Sequence, residues 1–198
     1  MIRRLAGALL LTLAGAPSPT VLMIQRPRSM RHFPGVWSFP GGRVEASDRE
    51  GREWVSPAVA GTSPCLSTES YLHRWDLSAP PIHAWLPHDD PGAVETAARA
   101  AWREVQEELG PDISSVVAEE RRMQYLGRLS PPPSVEFGFD TRFFSLAVRP
   151  FRVVPEPDEV AQACWLRVSA VLEGGLEMAK PTQYVLERLE DCLGSQNA

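Results

Sequence analysis

The chain is poor in cysteine: Cys65, Cys164 and Cys192 are the only three in 198 residues. That is too few for a disulfide scaffold, and no CxxC pair offers a metal knuckle. So few thiols suit a reducing compartment, which makes the cytoplasm the expected location. The sequence also lacks any apolar run of the roughly eighteen residues an ordinary transmembrane helix needs, and no membrane partner is expected. Acidic residues are missing from residues 1–44, which carry Arg3, Arg4, Arg26, Arg28, Arg31 and Arg43. The remainder holds 14 basic against 25 acidic side chains. The net charge of −5 and a pI near 5.4 exclude the basic excess of a general nucleic-acid binder. A basic arm facing an acidic body can instead hold an anion beside a metal site.

What is present is core material. Hydrophobic residues make up 43% of the chain, and the length fits one domain, or one domain with a large insertion. The opening MIRRLAGALLLTLAGA has two readings. Its basic start, apolar stretch and small-residue end resemble a secretory signal, and its lack of acids resembles a mitochondrial presequence. Alternatively, Ala6–Ala14 is a strand, Gly15–Ser18 a turn, and Thr20–Gln25 a second strand. The hairpin is preferred, because the motif that follows needs the sheet it would build.

Residues 46–90 change character, being rich in Ser, Pro and Ala, with Trp54, Trp75 and Trp85 and little periodicity. Loops this long inside a compact domain are normally functional. Its histidines, His73, His83 and His88, are too widely spaced for a compact zinc pattern. A clear helix follows. Asp90 is a good N-cap, Pro91 suits the first helical position, and Gly110-Pro111 is a stop. Val94, Ala98, Ala101, Val105 and Leu109 form its apolar stripe. Strands are expected near Gln124–Leu129, Thr141–Val148 and Cys164–Arg167, the last followed by a helical turn. The final element, Thr182–Leu193, reads as an amphipathic helix.

Residues 103–110 read REVQEELG. At ~100° per residue, Glu104, Glu107 and Glu108 share one arc of about 100° beside the apolar stripe. Like charges at these spacings repel, so the cluster costs stability unless a cation sits there. Hard divalent ions such as Mg²⁺ or Mn²⁺ accept carboxylate oxygens, although most such acidic pairs are simply solvated.

The arrangement resembles the Nudix box, G-x5-E-x7-R-E-U-x-E-E-x-G-U, in which U is apolar. Glu95 is followed by seven residues, then Arg103, Glu104, Val105, Gln106, Glu107, Glu108, Leu109 and Gly110; Pro111 departs from the final apolar position. FPGGRVE, Phe39 to Glu45, is similar to the start of the same box, with Gly42 as its first glycine. Gly42 and Glu95 are separated by 52 residues instead of five, so the box is interrupted by 47 residues, and removing them leaves 151. FGFDTRFFSLAV and KPTQYVLERL resemble the interrupted-box branch that includes peroxisomal coenzyme A diphosphatases, with Gly138 where that branch often has Arg.

The resemblance implies an α/β/α sandwich with a mixed sheet, as a single Nudix hydrolase domain over 1–198 with an insertion at about 46–92. It implies metal-dependent hydrolysis of a nucleoside diphosphate linked to another moiety, with coenzyme A or acyl-CoA the first substrate. ADP-ribose, NADH or a nucleotide sugar is the alternative, and so is a non-catalytic nucleotide-binding domain. Glu104, Glu107 and Glu108 are the implied ligands of Mg²⁺ or Mn²⁺, joined by the Gly42 carbonyl. Glu104 is the implied base, Arg103 orients Glu107, and Glu95 is structural. Arg26, Arg28, Arg31 and Arg43 are candidate phosphate contacts. Glu159 or Glu156 is a candidate additional acid. Trp37 and Phe39 suit either base stacking or the core. The insertion is expected to shape substrate access or a homodimer interface, not chemistry.

Overall fold

A computed structural model describes residues 2–30, 33–50, 58–60, 89–117, 122–130 and 137–194. The opening segment is a strand, β1 (Ile2–Leu13), and β2 (Thr20–Gln25) follows after a turn. The hairpin expectation holds in kind, but the two strands share a single registered pair, Thr12 with Val21. The main partner of β1 is β7 (Phe137–Val148), which runs parallel to it from Ile2 opposite Phe137 to Leu13 opposite Val148. That long pairing starts β1 earlier than the expected Ala6. Both faces of β1 are covered, which explains why its sequence is an apolar run without alternation.

The remaining strands complete a mixed sheet. They are β3 (Trp37–Ser38), β4 (Gly41–Arg43), β5 (Ala58–Ala60), β6 (Arg122–Leu129) and β8 (Gln162–Arg167). The order is β3-β2-β1-β7-β6-β5, with β4 also on β1 and β8 also on β2. Helix α1 (Ala46–Glu50) is one turn, and α2 (Pro91–Leu109) is the long helix expected from the sequence. Asp90 caps α2 by accepting a hydrogen bond from the Ala93 N–H at 2.9 Å. Helices α3 (Val168–Glu173) and α4 (Lys180–Gly194) close the chain.

Three layers result, as expected. On one face, Ala98, Ala101, Trp102, Val105 and Leu109 of α2 pack on Leu9, Leu11, Leu22, Ile24 and Phe144. On the other, Val168, Val171, Tyr184, Val185, Leu186 and Leu189 pack on Leu10, Val21, Met23 and Phe143. Phe39 is buried in that second cluster and Trp37 packs against it, so both do core work. No helix among the described residues is long and apolar enough to cross a membrane.

The FDTRFF stretch carries a buried charge network. Asp140 accepts from Arg128 Nε at 2.7 Å, Arg128 Nη2 at 2.8 Å and Ser130 Oγ at 2.5 Å. Burial alone would raise the Asp140 pKa, but these donors outweigh it and hold the carboxyl below its ordinary value. Arg142 Nη2 donates to Asp89 at 2.5 Å, and the Tyr125 hydroxyl donates to the same carboxylate at 2.6 Å. Asp89 directly precedes the α2 cap, so this network ties the approach to that helix onto β6 and β7.

Candidate active site

Strand β4 pairs antiparallel with β1, placing Gly42 opposite Gly7 and Gly41 opposite Ala8. Helix α2 crosses directly above. The Glu108 carboxylate accepts a hydrogen bond from the Gly41 N–H at 3.1 Å. Glu104 lies over Gly42 so closely that a Cβ there would stand 2.7 Å from Glu104 Oε2, with the rest of the carboxylate nearer still. The bare Gly41-Gly42 backbone is thus a floor that only glycine permits, roofed by two carboxylates from successive turns of the helix.

Both acids are costly where they stand. Burial raises the Glu108 pKa well above its ordinary value; repulsion from Glu104 adds to this, and the Gly41 N–H and the Arg26 charge offset part of it. Burial also raises Glu104, against the pull of Arg103. Glu159 contributes to both shifts by repulsion. Its loop is held at the site by hydrogen bonds from the Glu156 N–H to the Glu108 carbonyl, 3.1 Å, and from the Ala161 N–H to the Gln25 carbonyl, 2.8 Å. The additional acid expected from this segment therefore stands electrostatically near the pair.

Glu107 differs from its two neighbours. It is largely exposed, and Arg103 Nη1 donates to its Oε2 at 2.8 Å while also reaching Glu104 Oε1 at 2.9 Å. Arg103, expected to orient Glu107, thus bonds both Glu107 and Glu104. Among the described residues, no three His, Cys, Asp or Glu side chains already converge as a ligand set. The residues still fit a hard divalent cation: the buried Glu108 carboxylate and the partly buried Glu104 carboxylate face a backbone cradle that a Cβ would fill.

Arg103 is itself buried, and the residue that holds it was not among the candidates. Asp48, fully buried on α1, accepts from Arg103 Nε at 3.1 Å and from Nη2 at 3.2 Å, and its Oδ2 accepts from the Glu45 N–H at 2.8 Å. Burial works against the arginine's charge, yet the hydrogen bonds it donates to Asp48 and the fields of Glu104, Asp48 and Glu107 raise its pKa. Glu95, which fills the first acid of the box by its spacing to Arg103, is instead exposed and paired with Arg99. The missed signal lay at the other end of the motif. Asp48 stands five intervening residues after Gly42, which is the G-x5-acid spacing itself. The expectation that the chain leaves the box after Glu45 is corrected accordingly, because Asp48 is bonded to the box arginine.

The other candidates separate. Arg26 lies near enough to act on Glu108, and its buried Nε has no hydrogen-bond partner. The Arg43 side chain is exposed and pairs with Glu45 at 3.3 Å; its carbonyl accepts from Arg103 Nη2 at 3.1 Å. Arg28 is exposed. Arg31, His73, His83, His88, Trp54, Trp75 and Trp85 lie outside the described residues.

This layering, with an acid-bearing helix over a glycine strand on a mixed sheet, is the Nudix fold. A NUDIX hydrolase from Alicyclobacillus acidocaldarius superposes with a TM-score of 0.65 at 23% identity, over 96% of this chain and 91% of its own. The NUDIX domain of Shewanella oneidensis NrtR, in complex with ADP ribose, gives 0.59 at 14% identity, over 98% and 90%. DR0079 from Deinococcus radiodurans gives 0.53 at 14%, over 94% and 82%. No family model matches the chain, and no curated protein matches it by sequence.

Proposed function

We propose that this protein is a divalent-metal-dependent hydrolase of nucleoside diphosphates linked to another moiety. The observation that carries the reading is the pair of the buried Glu108 and the partly buried Glu104 held against the Gly41-Gly42 backbone. A bound Mg²⁺ or Mn²⁺ would neutralise diphosphate oxygens and acidify an attacking water. The chain's own residues supply the rest. Glu104 and Glu108 would hold the cation, with the Gly42 carbonyl and Glu107 as further candidate ligands. Arg103 fixes the directions of Glu104 and Glu107. Glu104, or Glu159 from its loop, accepts the water proton. Arg26 and Arg31 bind phosphate. Water adds to one phosphorus as the bridging P–O bond breaks, leaving two phosphate monoesters.

The first substrate is coenzyme A or acyl-CoA, cleaved to 3′,5′-ADP and the corresponding phosphopantetheine. The interrupted box and FDTRFF support that choice. ADP-ribose is the second reading, favoured by the ADP ribose held in the Shewanella domain of similar fold. A panel of coenzyme A, acyl-CoA, ADP-ribose, NADH and nucleotide sugars, assayed with Mg²⁺ and Mn²⁺ and with product identification, tests both. Tight nucleotide binding without turnover of any of them would mean a non-catalytic binding domain.

A further inference from the structure

Helix α2 also comes very close to the sheet at a residue outside the acid motif. Gly7, in the middle of β1, is buried, and its missing side chain would point at the helix. A Cβ there would overlap the Ala97 carbonyl oxygen, stand 2.9 Å from the Ala97 carbonyl carbon and 3.0 Å from the Ala101 Cβ. Two of those atoms are helix backbone, and the third is fixed to it, so no flexible side-chain end can yield. An added methyl must therefore lift the helix, by roughly 1 Å at ordinary contact distances.

The direction of that lift matters. Taking Ala97 as zero, Ala101 lies about 40° to one side, Glu104 about 20° to the other and Glu108 about 20° back. The stripe of α2 that rests on Gly7 is thus the stripe that carries Glu104 and Glu108. Glu107 lies about 80° away, consistent with its exposure. On the sheet, Gly7 is the registered partner of Gly42 and neighbours the Ala8–Gly41 pair. Raising the helix over Gly7 raises Glu104 and Glu108 off the backbone they face.

We propose that Gly7 is the positioning residue of the acid site: by carrying no side chain it sets the height of α2 at which Glu104 meets Gly42 and Glu108 meets the Gly41 N–H. The inference rests on the metal-dependent reading above. Cation shells tolerate ligand displacements of only ~0.2 Å, and misplacement of reacting groups by about 1 Å can cost ~100-fold in rate.

The test is Gly7→Ala in the full chain, freed of metal. Mn²⁺ binding is read from the free-ion EPR signal, folding from circular dichroism and thermal melting, and kcat and KM from the diphosphatase assay. The expected result is a folded protein with Mn²⁺ affinity weakened ~10-fold or more. At saturating metal, kcat falls ~100-fold with KM little changed. A folded Gly7→Ala with wild-type Mn²⁺ affinity and kcat overturns the inference, even if its melting temperature is lower, because that pattern is a purely structural role. If Gly7→Ala is insoluble, Ala101→Ser places a milder wedge on the helix side of the same contact. Severalfold weaker Mn²⁺ binding is then expected, and unchanged binding overturns the proposal. Failure of the wild-type protein to bind Mn²⁺ overturns the metal reading as well, whereas normal wild-type binding with unaffected variants removes only the role of Gly7.

Discussion

Asp48 and Arg103 are 55 residues apart in sequence and joined by two hydrogen bonds in the core of the acid site. The arginine spends its other donors on Glu104, Glu107 and the Arg43 carbonyl. Asp48 is thus the fixed end of a chain of contacts that reaches two of the three box glutamates. Replacing it with Asn removes the fully buried charge partner of the guanidinium while Glu104 and Glu107 remain, so the loss is expected to be below the about 3–5 kcal/mol of a fully uncompensated buried charge. Chemical denaturation of Asp48→Asn should show that loss, together with reduced turnover. Glu95→Gln should behave like the wild type in both measurements, because Glu95 is exposed and bonded only locally.

Glu107→Gln and Glu108→Gln preserve size and remove charge. Each is expected to lower Mg²⁺-dependent turnover by ~100-fold or more, since metal ions supply several kcal/mol of transition-state stabilisation. Near-normal activity in both would show that neither acid serves the reaction. Only Glu108→Gln should also stabilise the metal-free protein, because Glu108 is buried where Glu107 is largely exposed.

Stability of the metal-free protein should fall as pH rises. Glu108 and Glu104 have folded pKa values above the ordinary 4.5. The folded state therefore holds these protons more tightly than the unfolded chain does, and stability drops from pH 4.5 upward until the raised values are passed. Asp140 acts oppositely, since its pKa is lowered and its contribution is lost only as pH falls below the ordinary 3.8. Thermal melts from pH 4.5 to neutrality should show the decline in EDTA and a smaller one in Mg²⁺. A flat EDTA profile would contradict the burial argument.

Residues 2–13 should be indispensable to the fold. As β1 they pair along their whole length with β7, and Leu9, Leu10 and Leu11 are fully buried. A chain lacking residues 1–16 is expected to be insoluble or to lack a cooperative thermal transition. Soluble, fully active protein beginning near Pro17 would establish the targeting-peptide reading.

The sequence by itself determined the elements with strong local signals. Helix α2 was legible from its Asp90 cap, Pro91 and apolar stripe, because those are contacts within one or two turns. The acid cluster was legible for the same reason, since Glu104, Glu107 and Glu108 need only helical spacing to converge. The role of β1 needed the tertiary structure: an apolar stretch buried on both faces lacks the alternation that marks a strand, and its partner β7 lies more than a hundred residues away. The unequal fates of the three acids were also decided in three dimensions. Glu108 turns to the Gly41 N–H and Glu107 to Arg103 because β4 passes under one side of the helix only. The spacing of Asp48 from Gly42 was legible, but its bond to Arg103 and the role of Gly7 were hidden for one physical reason. A buried charge pair and a close backbone contact are properties of two surfaces brought together, and neither surface carries a periodic mark of the other.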